Sequence, residues 1–204
     1  PSAPWLGLKV HVRDITLARE LELHLGADAY VGLARLPDGN TNVCGLFHRR
    51  ELSIRGHELL LAYLRETGLG ALAERLAAAK IEADTFCAVA GLQFDRRVPA
   101  IEANRLSLGD TSATIPPFTG NGMAMAFQSA EAALRPLLAY AHWKCDWTAA
   151  CRDTHAALCG RFRTRLASAH WMHPFLLRPN RQRLLALLNR CHLLPINTLS
   201  AQLH

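Results

Sequence analysis

The segment "RLSLGDTSATIPPFTGNGMAMAFQSAEAALRPLLAY", Arg105–Tyr140, decides how this chain is read. It predicts a short strand ending at Gly109-Asp110 and a loop stiffened by Pro116 and Pro117. A helix then runs from Gly122 to Tyr140, which Pro136 kinks or ends. The carboxyl end of a strand facing the amino end of a helix is where open sheets bind ligands. Gly109 lets a ligand approach the backbone, and Asp110 offers a carboxylate to the hydroxyls of a sugar or polyol. Gly120 and Gly122 permit positive φ and remove side chains where the helix begins. The first helical N–H groups are then free to meet an anion or a carbonyl oxygen, helped by the macrodipole. A lone Gly-Asp is common and is explained by a turn. The whole run in this order points to an extended ligand with hydroxyls and a phosphate or polarised carbonyl.

Before this segment the chain reads as antiparallel sheet. Leu8, Val10 and Val12 alternate with Lys9, His11 and Arg13, and Leu21, Leu23 and Leu25 alternate with Glu22 and His24. Period two with one apolar face predicts half-buried strands. "YVGLARL" and "TNVCGLFHR" flank the turn signal "PDGN", which predicts a hairpin. From Ile54 to Lys80 the composition turns helical, in two pieces split by "GLG", and "TFCAVAGLQFDRR" returns to strand. After the segment, a helix starts near Asp146 or Thr148, either of which can cap it. Trp147, Cys151, Leu158, Phe162 and Leu166 form its buried stripe. "HPFLLRPNRQRLLALLNRCHLLP" predicts a further helix bounded by Pro179 and Pro195. The boundaries fall near Asn104 and Ala141, giving 1–103, 104–140 and 141–204.

Composition narrows the class. The chain has 204 residues, half of them hydrophobic and a fifth charged, as in a soluble globular protein with a real core. No apolar run approaches a membrane span, and the first residues lack the apolar region of a signal peptide. The net charge of +6 favours anionic partners in a general way. The excess sits in "GRFRTRLASAH" and "LLRPNRQR", which read better as solvated helix faces than as a nucleic-acid footprint. The six cysteines, Cys44, Cys87, Cys145, Cys151, Cys159 and Cys191, form no CxxC pair and read as reduced thiols of a cytoplasmic protein. Cys151, His155 and Cys159 recur every fourth residue, a spacing open to a metal but better explained by core packing. No metal site is expected.

At "LSLGDTSATIPPFTGNGMAMAFQSAEAA" the chain resembles the second flavin-contacting motif of FAD-dependent oxidoreductases of the para-hydroxybenzoate hydroxylase and geranylgeranyl reductase type. The resemblance implies an α+β fold: an antiparallel substrate-domain sheet, a strand–loop–helix returning to an FAD-binding domain, and a helical tail. It implies that Gly109 and Asp110 meet the ribityl or pyrophosphate part of FAD. Pro117, Gly120, Asn121, Gly122 and Met123 would line the isoalloxazine ring. The family's N-terminal strand–helix–strand unit with GxGxxG has no counterpart here. "GLGALA", Gly68–Ala73, fits the letters but follows a helix and reads as a break between helices. The expectation is therefore the C-terminal portion of such an enzyme, whose partner is an N-terminal FAD-binding half. The substrate would be a small apolar or aromatic molecule, hydroxylated, reduced or halogenated. NAD(P)H is a candidate electron donor, and peripheral membrane contact stays open.

Flavin would carry the chemistry, so no catalytic side chain is assigned. Lys9, His11, Arg13 and His24 are candidates to face a substrate from the sheet's polar face, with solvent as the equal alternative. His170 and His173 are expected at a helix end, where the dipole suits them. A non-catalytic module that holds an apolar ligand, and a basic nucleic-acid domain, are the rival readings.

Overall fold

Strand β1, Trp5–Arg13, sets the sheet: Leu8, Val10 and Val12 are buried, while Lys9 and His11 on the other face stay partly exposed. The structure is a computed structural model that describes residues 4–100, 104–191 and 193. Around β1 stand β2 (Leu21–Gly26), β3 (Ala29–Arg35), β4 (Thr41–His48) and β5 (Lys80–Leu92), in the order β2-β3-β4-β1-β5. Every pairing is antiparallel. The hairpin predicted at "PDGN" joins β3 to β4, closed by the Leu36 N–H donating to Asn40 O at 2.8 Å. β5 begins at Lys80, several residues before the expected strand.

Helices α1 (Glu58–Glu66) and α2 (Gly70–Ala77) cover one face of the sheet, and "GLG" is the break between them. Leu60, Leu64, Leu72 and Leu76 pack with Leu8, Val10, Val31, Leu33, Val43 and Phe47 into one core. The register puts His24 opposite Val31, Val31 opposite Gly45, and Gly45 opposite Leu8. His24 and Glu22 thus share the helix-covered face, and the expectation for β2 is reversed. Leu21 and Leu23 are 65% and 48% exposed. The reason is electrostatic: the Arg75 guanidinium of α2 donates to the Glu22 carboxylate at 2.8 Å, and the Ala18 N–H does so at 2.6 Å. A carboxylate with such donors outcompetes an edge-strand leucine for that face.

The described residues form two compact units, one of residues 4–93 with 174–191 and 193, the other of residues 94–100 with 104–173. The tail is tied into the first unit by the Asp28 N–H donating to Leu177 O at 2.9 Å and the Gln182 amide donating to Gly26 O at 2.8 Å. In the second unit, α3 (Gly122–Ala141) and α4 (Trp147–Leu177) enclose a core of Val98, Ile115, Met125, Leu158, Phe162 and Leu166. Asp146 caps α4, its carboxylate accepting the Ala149 N–H at 2.7 Å. Thr148, the other candidate cap, instead hydrogen-bonds the Asn104 side chain.

One further expectation is corrected. The strand expected before Gly109 is not formed: Leu108 is extended (φ −133°, ψ 161°), but residues 105–108 belong to no described strand. α3 runs past Pro136 to Ala141, close to its expected end at Tyr140, and α4 continues through Pro174 to Leu177. The last helix starts at its predicted boundary: α5 is Pro179–Arg190, with proline at its first position, where no N–H is needed. Its other predicted boundary, Pro195, lies outside the described residues.

Candidate functional site

Gly109 opens a single 3-10 turn, Gly109–Thr111, with φ +58°, a conformation that strains any residue with a Cβ. Its N–H donates to the buried Ser129 Oγ of α3 at 2.8 Å, and Ser129 donates on to Ala126 O at 2.7 Å. The carbonyl of Gly109 accepts from the Ser112 N–H and hydroxyl at 2.9 and 2.7 Å. The turn carrying Asp110 is thereby fastened onto α3. Asp110 itself is exposed, and its carboxylate makes no hydrogen bond or ion pair among the described residues.

The proline loop forms a second 3-10 turn, Pro117–Thr119, ended by Gly120 in the left-handed region at φ +67°. Thr119 Oγ donates to Pro116 O at 3.0 Å and accepts the Asn121 N–H at 3.3 Å. Asn121 is buried, and its carbonyl accepts the first helical bond, from Met125 at 2.8 Å. Gly122 is the first helical residue. Its φ is not positive, so of the two glycines only Gly120 needs the left-handed region. A Cβ added at Gly120 or Gly122 meets nothing within 4 Å: the space at the start of α3 is open. Met123 lies on this start, 78% exposed. A free carboxylate, a left-handed turn and a bare helix start can together receive a ligand with hydroxyls and a polarised carbonyl. The donor set fits FAD.

The loop's support was missed in the sequence. The Phe118 ring stacks on His173 at 5.9 Å and 10°, and Phe94 meets the same imidazole edge-on at 5.4 Å. His170 and His173 thus sit inside α4, not at its end. Burial, with the His170 charge beside it, lowers the His173 pKa to about 4. Asp95 also braces the loop, accepting the Thr114 N–H on Oδ2 at 2.7 Å. Only an aromatic-histidine spacing across distant segments could have announced this cluster, and no such periodicity exists.

Of the substrate-facing candidates, Lys9, His11 and Arg13 share the sheet face turned from α1 and α2, in register with Cys44 and Asn42 of β4. Arg13 is held by Glu82 at 2.9 Å and Asn40 at 3.0 Å. His24 is on the opposite face, 2.9 Å from Glu22. His155 Nε2 lies 2.8 Å from Pro99 O and 3.6 Å from the Cys159 sulfur, while Cys151 is buried, which pushes its thiol up. Among the described residues no group of three His, Cys, Asp or Glu could hold a metal.

No family model and no curated protein sequence matches the chain. Solved structures do. HpxO from Klebsiella pneumoniae, solved with FAD and uric acid, is 16% identical with a TM-score of 0.65, over 99% of this chain and 52% of its own. PqsL from Pseudomonas aeruginosa, described as a probable FAD-dependent monooxygenase, is 20% identical with a TM-score of 0.57, over 93% and 52%. The fold is shared with FAD-dependent monooxygenases. The halogenase PltM is also similar, with a TM-score of 0.64 at 11% identity, over 85% of this chain and 38% of its own. At these identities the likeness is one of fold, and the chain spans about half the length of the first two.

Proposed function

We propose that the chain is the C-terminal portion of an FAD-dependent oxidoreductase of the para-hydroxybenzoate hydroxylase and geranylgeranyl reductase type, acting on a small aromatic, isoprenoid or other apolar substrate. The observation that carries this is the turn-and-helix seat itself: a free Asp110 carboxylate beside an open helix start, in a fold shared with flavin-bearing structures. Asp110, with the close backbone of Gly109, would hold the ribityl or pyrophosphate part of FAD. Pro117, Gly120, Asn121, Gly122 and Met123 would line its ring. FAD, when bound, supplies the hydride or oxygen chemistry, and NAD(P)H is the candidate donor. HpxO with uric acid and PqsL with 2-aminobenzoylacetate set the scale of the substrate.

An N-terminal flavin-binding half is the natural partner. It would supply the strand beside residues 105–108 and cover the exposed stripe of Met123, Phe127, Leu134 and Leu138 along α3. Peripheral membrane contact is the lesser reading of that stripe. Six free cysteines accord with a cytoplasmic setting, and no described helix is long and apolar enough to cross a membrane. The test is FAD titration of a chain that includes the upstream half, followed by flavin absorbance. Asp110→Ala there is expected to weaken retention about tenfold, ~1.4 kcal/mol, with unchanged circular dichroism. Failure of the intact longer chain to take up FAD would sink the assignment, and unchanged retention in the variant would remove Asp110 from it.

A further inference from the structure

Outside the seat, the first unit holds a cleft of about 580 Å³, lined by Leu6, Leu52, Leu59, Arg49 and Tyr63 among others. That is within the range of small-molecule sites, roughly 300–1,000 Å³. Leu6 pairs with Ala90 of β5 and shares the face of Leu8, so the cleft opens on the helix-covered side of the sheet, away from Lys9 and His11. We infer that this cleft binds a small apolar molecule bearing one carboxylate.

The loop that carries the arginines is fixed at two points, one of them in the core. The Arg49 N–H donates to Pro4 O at 2.7 Å. The Arg50 N–H donates to Tyr63 Oη at 2.8 Å, and that hydroxyl donates back to Arg50 O at 2.9 Å. Tyr63 is 1% exposed and packs on Phe47 at 5.1 Å, so this clamp is part of the core and not a surface accident. The two guanidinium groups then differ. Arg50 is committed to Glu66 at 3.3 Å. Arg49 makes no side-chain hydrogen bond or ion pair among the described residues. A guanidinium on a fixed backbone, lining a cleft whose wall is partly leucine, matches a carboxylate with two parallel N–H donors. Leu6, Leu52 and Leu59 take the tail. Glu51 lines the same rim and opposes a second negative charge, which selects monoanions. The site uses none of the residues of the flavin seat, so it stands or falls separately from the function proposed above.

The probes are octanoate and octanol, which share a tail and differ in charge, titrated by calorimetry onto the 204-residue chain without flavin. Octanoate is expected to bind at least tenfold more tightly than octanol. Arg49→Gln is expected to erase that advantage and leave octanol unchanged, whereas Arg152→Gln, on α4, changes neither. Ala90→Trp, which fills the cleft from β5, is expected to stop both, with circular dichroism confirming the fold. Equal binding of the two probes, full octanoate affinity in Arg49→Gln, or no binding of octanoate at all would each overturn the proposal.

Discussion

Glu22 and His173 both titrate abnormally, and both make stability fall on acidification. The Arg75 hydrogen bond, opposed by partial burial and aided by His24 and the Ala18 N–H, holds the Glu22 carboxyl at about 2 against its ordinary 4.5. A depressed carboxylate contributes its stability above the unfolded value and loses it as pH falls through the folded one. For Glu22 that loss runs from about 4.5 to about 2. His173 is the neutral counterpart. The folded state keeps its imidazole uncharged down to about 4, while the unfolded chain takes up a proton from 6.5 downward, so stability declines across that window as pH falls. Urea midpoints measured from pH 8 to pH 3 are expected to drop in two stages. His173→Phe, which keeps the ring against Phe118, flattens the upper stage. Glu22→Gln weakens the fold at neutral pH and flattens the lower one. An unchanged profile in either variant would contradict the corresponding assignment.

Among the elements, α3 and the Gly109 turn act as one piece because of Ser129. Its hydroxyl is fully buried, accepts the Gly109 N–H and donates to Ala126 O. Ser129→Ala leaves that N–H without an acceptor in a dry place, at a cost of about 1–3 kcal/mol. The expected result is a lower melting temperature and a freer Gly109 amide in hydrogen exchange, with helix content unchanged. The elements joined by local signals were legible in the sequence. The alternation of Leu8, Val10 and Val12, the "PDGN" hairpin, the "GLG" break and the Asp146 cap each depend on residues a few positions apart. What distance decides was not. Leu21 and Leu23 lost the covered face to Glu22 because Arg75 approaches from α2. Leu108 has a strand-like backbone, yet residues 105–108 form no described strand, since a strand exists only beside a partner. In the seat itself the sequence indicated the open start of α3 and the free Asp110, but not the Phe118–His173 stack behind them.

At the scale of the whole chain, the described residues form two cores with no member in common. One is built on Leu8, Val31, Phe47 and Leu64, the other on Ile115, Leu158, Phe162 and Leu166. The described chain passes between the two units at Gln93–Phe94 and at His173–Pro174, where Pro174 lacks the N–H that the hydrogen-bond ladder of α4 would use. Separate cores joined in this way are expected to unfold as separate cooperative units. Leu64 and Leu166 are both completely buried, so Leu64→Ala and Leu166→Ala each remove about 2–5 kcal/mol from the unit that contains them. Trp5 in the first unit and Trp171 in the second allow each to be followed by fluorescence after the other tryptophans are replaced by Phe. Urea titration is expected to show that Leu64→Ala moves the Trp5 transition and leaves that of Trp171 in place, with the reverse for Leu166→Ala. In the double variant the two losses add, because the altered side chains share no packing partners. A single transition, shifted equally at both probes by either substitution, would mean that the chain folds as one cooperative body despite its two cores.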